Sequence, residues 1–82
     1  MAKPADLAAA SSAVRRVLER QGIKLSDVRS VYAGKGSAGP IVTDVCVSDL
    51  GDLKVAQGVL ETLGKGVTLK VIDVDAIEVT WS

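Results

Sequence analysis

Residues 67–81, VTLKVIDVDAIEVTW, decide the fold, because apolar side chains recur at every second position on both sides of a short acidic interruption. A three-residue turn over residues 73–75 would pair Val71 with Ile77 and keep the apolar row on one face of a hairpin. A two-residue turn would instead place Glu78 in that row. The stretch therefore predicts a hairpin. A single long strand over the same residues would have the same parity and remains an alternative. The apolar row consists of Val67, Leu69, Val71, Ile77, Val79 and Trp81.

An earlier pair of strands is predicted over residues 28–33 and 41–48, joined by the glycine-rich stretch 34–40. In the later of these strands one parity is apolar apart from Thr43, while the other parity is only half polar. One face should therefore point into a core. Its residues are Ile41, Thr43, Val45 and Val47.

Two helices are predicted, over residues 7–21 and 50–63. The apolar residues of the first fall in an arc about 100° wide, as expected for a helix that packs on a sheet. The apolar residues of the second helix spread over roughly 160°, which is a wider arc than a single sheet needs to cover. The apolar residues outside the covered arc should be Val55 and Val59. Each helix should start at an aspartate cap and stop at a glycine. These residues are Asp6 and Gly22 for the first helix, and Asp49 and Gly64 for the second.

The element order αββαββ predicts an α+β fold, with both helices on one face of a four-stranded, mostly antiparallel sheet. The chain has 82 residues, which we expect to form one small, complete domain. A domain of this size buries only roughly 60–65% of the surface that its unfolded chain exposes. Since the chain has no Phe and only Tyr32 and Trp81 as aromatics, we expect Trp81 to anchor the core and a second subunit to contribute to it.

The charge distribution is polarised although the net charge is zero. Residues 1–40 carry seven basic and three acidic side chains, whereas residues 41–82 carry three basic and seven acidic ones. Such a split favours an oriented contact with a charged partner or with a second copy. The basic residues predicted to bind a partner are Arg15, Arg16, Arg20, Lys24, Arg29 and Lys35.

Apolar residues that the core does not need are the second set of candidates. The shoulder of the second helix and the outer face of the sheet should expose them, so either surface could support self-association, which we expect to give a homodimer. The candidates are Val55, Val59, Val42, Cys46 and Ile72.

The sequence offers little to a catalytic interpretation. It contains no His, so Cys46 has no imidazole base and the usual triads and histidine metal sites are excluded. The run Gly34-Lys35-Gly36-Ser37-Ala38-Gly39 matches GxGxxG, but a strand and not a helix follows it. Asp73 and Asp75 supply too few oxygens for a cation site. We therefore expect no catalytic activity, no cofactor and no metal.

These observations predict a small, non-catalytic protein-binding module that self-associates and covers a surface of a partner macromolecule. Accessory or inhibitory proteins of bacteria and phages fit this description by analogy. RNA or DNA binding through the basic half is one alternative, and a structural subunit that assembles head to tail is another. With no signal segment, no membrane span and a single Cys, the cytoplasm is the expected location.

Overall fold

The computed structural model describes residues 3–34 and 36–82. Within them the chain forms two α-helices and one four-stranded antiparallel sheet with strand order β1-β2-β4-β3. The predicted α+β class and the order αββαββ are thus confirmed. The elements are α1 (Leu7–Arg20), β1 (Leu25–Tyr32), β2 (Ile41–Val47), a 3-10 turn (Leu50–Asp52), α2 (Leu53–Leu60), a second 3-10 turn (Glu61–Leu63), β3 (Val67–Asp73) and β4 (Ala76–Trp81).

The ends of α1 follow the predicted capping chemistry. The Asp6 carboxylate accepts a hydrogen bond of 2.8 Å from the Ala9 amide and caps the first turn. At the other end Gly22 adopts φ = 78°, and the amide of Ile23 donates to the carbonyl of Leu18 at 3.1 Å. This is a Schellman arrangement, which needs a left-handed residue and therefore favours glycine. It folds the chain back so that Ile23 is buried.

The second helical segment spans the predicted residues but is not one regular helix. Only Leu53–Leu60 is α-helical, and a 3-10 turn flanks it on each side. Asp49 accepts a hydrogen bond of 2.9 Å from the Gly51 amide, and Gly64 stops the segment at φ = 98°. Tighter 3-10 turns are common at helix ends, where backbone groups lack α-helical partners. The cap and the stop are therefore as predicted, while the helix is shorter.

The closing hairpin has the predicted register. Val67 lies opposite Trp81, Leu69 opposite Val79 and Val71 opposite Ile77. A bulge between Val71 and Asp73 then brings Asp73 opposite Ala76, so the connection is a two-residue turn with one extra residue in β3. The predicted three-residue turn over residues 73–75 is therefore wrong, and so is the alternative of one long strand.

The core lies between the helices and one face of the sheet. Every deeply buried residue of β2 has one parity, as predicted, and β1 starts three residues earlier than the sequence suggested. Helix residues and inward strand residues form one buried cluster. Its members are Ala10, Val14, Leu18, Ile23, Ile41, Val45, Val47, Ala56, Leu60, Leu63, Ile77, Val79 and Trp81.

Candidate functional site

The predicted basic residues do not form one patch. Arg15, Arg16 and Arg20 are exposed on α1, in the helical layer. Lys24 is exposed directly before β1, where its carbonyl accepts a hydrogen bond of 3.0 Å from the Ser48 amide. Arg29 belongs to the row of β1 that alternates with the inward residues, so it lies on the opposite, uncovered face of the sheet. Lys35 lies outside the described residues. The basic half of the sequence is therefore divided between two faces of the molecule.

A groove between α1 and the second 3-10 turn brings two of these arginines together. Four α1 residues at helical spacing form one wall, and two residues of the turn form the other. The groove has a volume of about 320 Å³. Its lining residues are Ala13, Arg16, Val17, Arg20, Thr62 and Leu63.

The groove combines an apolar floor with a cationic rim. Ala13 and Val17 are half-buried and pack against the core, and Leu63 is buried. The side chains of Arg16 and Arg20 are exposed, and neither forms an ion pair or hydrogen bond with a described residue. Guanidinium groups in this state can donate paired hydrogen bonds to carboxylates, while the floor accepts an apolar side chain.

Neither aromatic side chain lines this groove. Trp81 is buried in the core, and Tyr32 is half-buried and packs against the same cluster. The chain contains no other aromatic residue. Stacking of unpaired bases relies on exposed aromatic rings or on Arg planes, so the groove has only its two arginines for that purpose.

The uncovered face of the sheet carries the second predicted surface. Val42 and Cys46 are half-buried there and Ile72 is 43% exposed. A row of charged residues crosses this face from edge to edge, in the order Arg29, Asp44, Glu78, Lys70. Acidic residues therefore occupy the two central strands and basic residues the two edge strands. Val42, Cys46 and Arg29 thus share the free face of the sheet, as the alternation along β1 and β2 predicts.

Cys46 lies in a shallow pocket of about 320 Å³ at one end of this face, and half of the residues that line the pocket are aspartates. Burial raises the pKa of the Cys46 thiol, and the negative charges of Asp75, Asp27, Asp44 and Asp73 raise it further. A thiol in this setting is a poor nucleophile, because only the thiolate reacts rapidly. Among the described residues no group of three or more His, Cys, Asp or Glu is placed to hold a metal ion.

The apolar shoulder of α2 is smaller than expected. Val59 is half-buried and packs against the core, whereas Val55 is 56% exposed and is not part of that packing. The two residues therefore do not form one exposed surface. Val55 remains as an isolated apolar side chain, which is common on protein surfaces.

Sequence reasoning missed two features of this site. The sequence predicts that Thr62 and Leu63 end the second helix, and no local sequence pattern indicates that they lie beside α1. The second feature lies outside the groove: the hydroxyl of the half-buried Ser30 meets that of the buried Thr43, and the Thr in an otherwise apolar row is the sequence signal for such a polar partner. Ser30 lies between Ser11 and Thr43, with oxygen separations of 2.6 Å and 2.8 Å.

Comparison of the chain with known protein families, with curated proteins and with solved structures gives no match. Within the described residues no helix is both long enough and apolar enough to cross a membrane.

Proposed function

We propose that this chain is a small, non-catalytic protein-binding module, and that the groove between α1 and the second 3-10 turn binds an acidic, amphipathic segment of a partner protein. The observation that carries the proposal is the pairing of an apolar floor with two unpaired arginines on its rim. In this arrangement Arg16 and Arg20 attract and orient the partner, and the floor supplies the apolar contact.

The charge split of the chain supports the same interpretation. α1 carries three arginines against one glutamate, so its surface favours an acidic partner at distances up to the Debye length, about 8 Å at physiological salt. If the partner protein also uses the bound segment to contact another molecule, this chain would compete for that segment. It would then have an accessory or inhibitory role in the cytoplasm. This cellular role is a separate hypothesis from the proposal that the groove binds an acidic segment.

The alternatives use the same charges differently. RNA or DNA binding would draw on Arg15, Arg16 and Arg20 as phosphate contacts, but the two aromatic rings are in the core. Head-to-tail assembly would place the basic half of one copy against the acidic half of the next and would form open polymers. The apolar floor favours a protein segment over either.

Calorimetric titration with a synthetic helical peptide, carrying glutamates and leucines along one face, tests the proposal. The double variant Arg16→Ser/Arg20→Ser should weaken binding by about tenfold. The matched control Arg15→Ser/Arg29→Ser removes the same charge outside the groove lining, and its affinity should stay within about threefold of the unmodified chain. Equal losses in both variants would show that net charge alone drives binding.

The same preparation distinguishes the alternatives. Tight binding of random-sequence RNA at physiological salt, with a salt dependence that falls when the arginines are replaced, would overturn the proposal in favour of nucleic-acid binding. A solution mass that keeps growing with concentration in the absence of peptide would favour head-to-tail assembly.

A further inference from the structure

The pocket on the uncovered face of the sheet has a floor of two short side chains. Cys46 and Ala76 are cross-strand neighbours on the two central strands, and both line this pocket. Longer side chains of the two edge strands stand on either side of them. At the β3 edge, the bulge brings Ile72 and Asp73 into the lining together. The sheet itself therefore forms a concave surface at this end of its uncovered face.

Negative charge converges on this floor. Arg29 is the one basic residue among the described residues of the lining, against four carboxylates. Burial raises the pKa of the Cys46 thiol, and the same four carboxylates raise it further, so their field acts at the bottom of the pocket. A site of this sign attracts cations and repels anionic ligands. The carboxylates are those of Asp27, Asp44, Asp73 and Asp75.

Asp44 lacks a hydrogen-bond donor for one of its oxygens. The Oδ1 atom is buried and has no partner among the described residues, although Arg29 is the neighbour of Asp44 on β1. The neighbour on the other side is Glu78, a second carboxylate. Like charges directly opposite each other are destabilising, and a buried polar atom without a partner costs free energy. A cationic donor bound in the pocket would relieve both costs.

The apolar residues of this face indicate what carries the cation. Ile72 is 43% exposed at the pocket, and Val31 and Val42 are cross-strand neighbours towards the other end of the face. Four residues of β2 separate Cys46 from Val42, which is about 13 Å. Two turns of an α-helix span about 11 Å. An amphipathic helix can therefore reach both regions with a basic residue at one position and an apolar residue seven positions away.

We infer that this face binds a basic, amphipathic helix of a partner protein, with one lysine or arginine side chain of that helix in the pocket. Its ammonium or guanidinium group donates to the Asp44 carboxylate, and its aliphatic stem contacts Ile72. The apolar residue two turns away contacts Val31 and Val42. A free small cation would leave these two valines uncovered. A bare metal ion does not fit, because no group of three acidic side chains among the described residues is placed to hold one.

This inference goes beyond the proposed function, because the groove and the pocket share no described residue. The groove presents arginines to an acidic segment, and the pocket presents aspartates to a basic one on the opposite side of the sheet. Loss of either binding activity should therefore leave the other intact. The inference also differs from the sequence prediction, which assigned Val42, Cys46 and Ile72 to self-association.

Calorimetric titration with a synthetic helical peptide, carrying arginines and valines two turns apart on one face, tests the inference. The peptide should bind the unmodified chain saturably at physiological salt. Asp27→Asn/Asp44→Asn should weaken binding by about tenfold, because two of the carboxylates are lost. The matched control Glu19→Gln/Glu61→Gln removes the same charge from exposed residues of the helical layer and should change the affinity by less than about threefold. Equal losses in both variants would overturn the inference, since net charge alone would then explain binding.

A second pair of variants tests the pocket itself. Cys46→Leu fills the space above the floor and should weaken binding of the basic peptide by about tenfold or more, whereas Cys46→Ala leaves the space open and should keep the affinity. Both variants should keep the melting transition, since the side chain lies on the uncovered face. Binding unaffected by Cys46→Leu would overturn the inference. Self-association that Asp27→Asn/Asp44→Asn abolishes in the absence of peptide would also overturn it, because the occupant would then be a second copy.

Discussion

Val67 lies directly opposite Trp81 in the closing hairpin, and Ile41 lies opposite Trp81 on its other side. Trp81 is thus held between an edge strand and a central strand, and it is buried although it is the penultimate residue. The end of the chain is therefore part of the core.

Truncation of this side chain should be among the most damaging single changes. Trp81→Ala is expected to reduce the free energy of unfolding by about 3–5 kcal/mol, a large part of what so small a domain has. Deletion of Trp81 and Ser82 should abolish cooperative melting.

Trp81→Phe provides a matched comparison. The indole Nε1 is buried and has no hydrogen-bond partner among the described residues, so Phe keeps much of the ring and loses none of the hydrogen bonds described. We expect a smaller loss than for alanine, measured by thermal and urea unfolding. Deletion of Ser82 alone is the control for chain length. Unchanged melting of Trp81→Ala would show that the C-terminal strand frays.

The hydroxyl groups of Ser11, Ser30 and Thr43 form a chain of contacts, so their contributions to the free energy of unfolding should be coupled. Thr43 is fully buried, so Ser30→Ala leaves its hydroxyl without this partner and should cost about 1–3 kcal/mol in urea unfolding. The double variant Ser30→Ala/Thr43→Val should cost less than the sum of the single variants. The exposed Ser12→Ala is the control. Additive costs would contradict the coupling.

The reactivity of Cys46 should show its raised pKa. Alkylation of the thiol should reach half its maximal rate at a pH above 9.0, the ordinary value for Cys, because burial and the surrounding carboxylates disfavour the thiolate. Asp75→Asn should move this midpoint down, whereas the exposed Glu61→Gln, which is not near the thiol, should not. The folded state also keeps this proton longer than the unfolded state, so stability should fall as the pH rises above 9.0.

Local chemistry made much of the fold predictable. The parity of residues 67–81 predicted the hairpin register, and the aspartate caps and glycine stops followed from the needs of helix ends. These features depend on neighbours in the sequence. The bulge after Val71 shortens the turn to two residues but leaves the pairing of Val67, Leu69 and Val71 with β4 unchanged.

The site was less predictable because it depends on tertiary placement. Periodicity does not give the strand order that puts β3 at an edge, nor the approach of Thr62 to α1. The alternation along β1 already places Arg29 on the face away from the helices, yet Arg29 belongs to the same basic half of the sequence as Arg16. Charge counted along the chain overestimated the size of the basic patch for this reason.

The most direct test of the central claim, that the arginine-rimmed groove binds acidic protein segments, is amide chemical-shift mapping by NMR during titration with the acidic amphipathic peptide. The account predicts that the largest changes fall on α1 around Arg16 and Arg20 and on Thr62 and Leu63, with saturation at the affinity measured by calorimetry. Changes centred on Arg29 and the uncovered face of the sheet, or no saturable change at physiological salt, would contradict it.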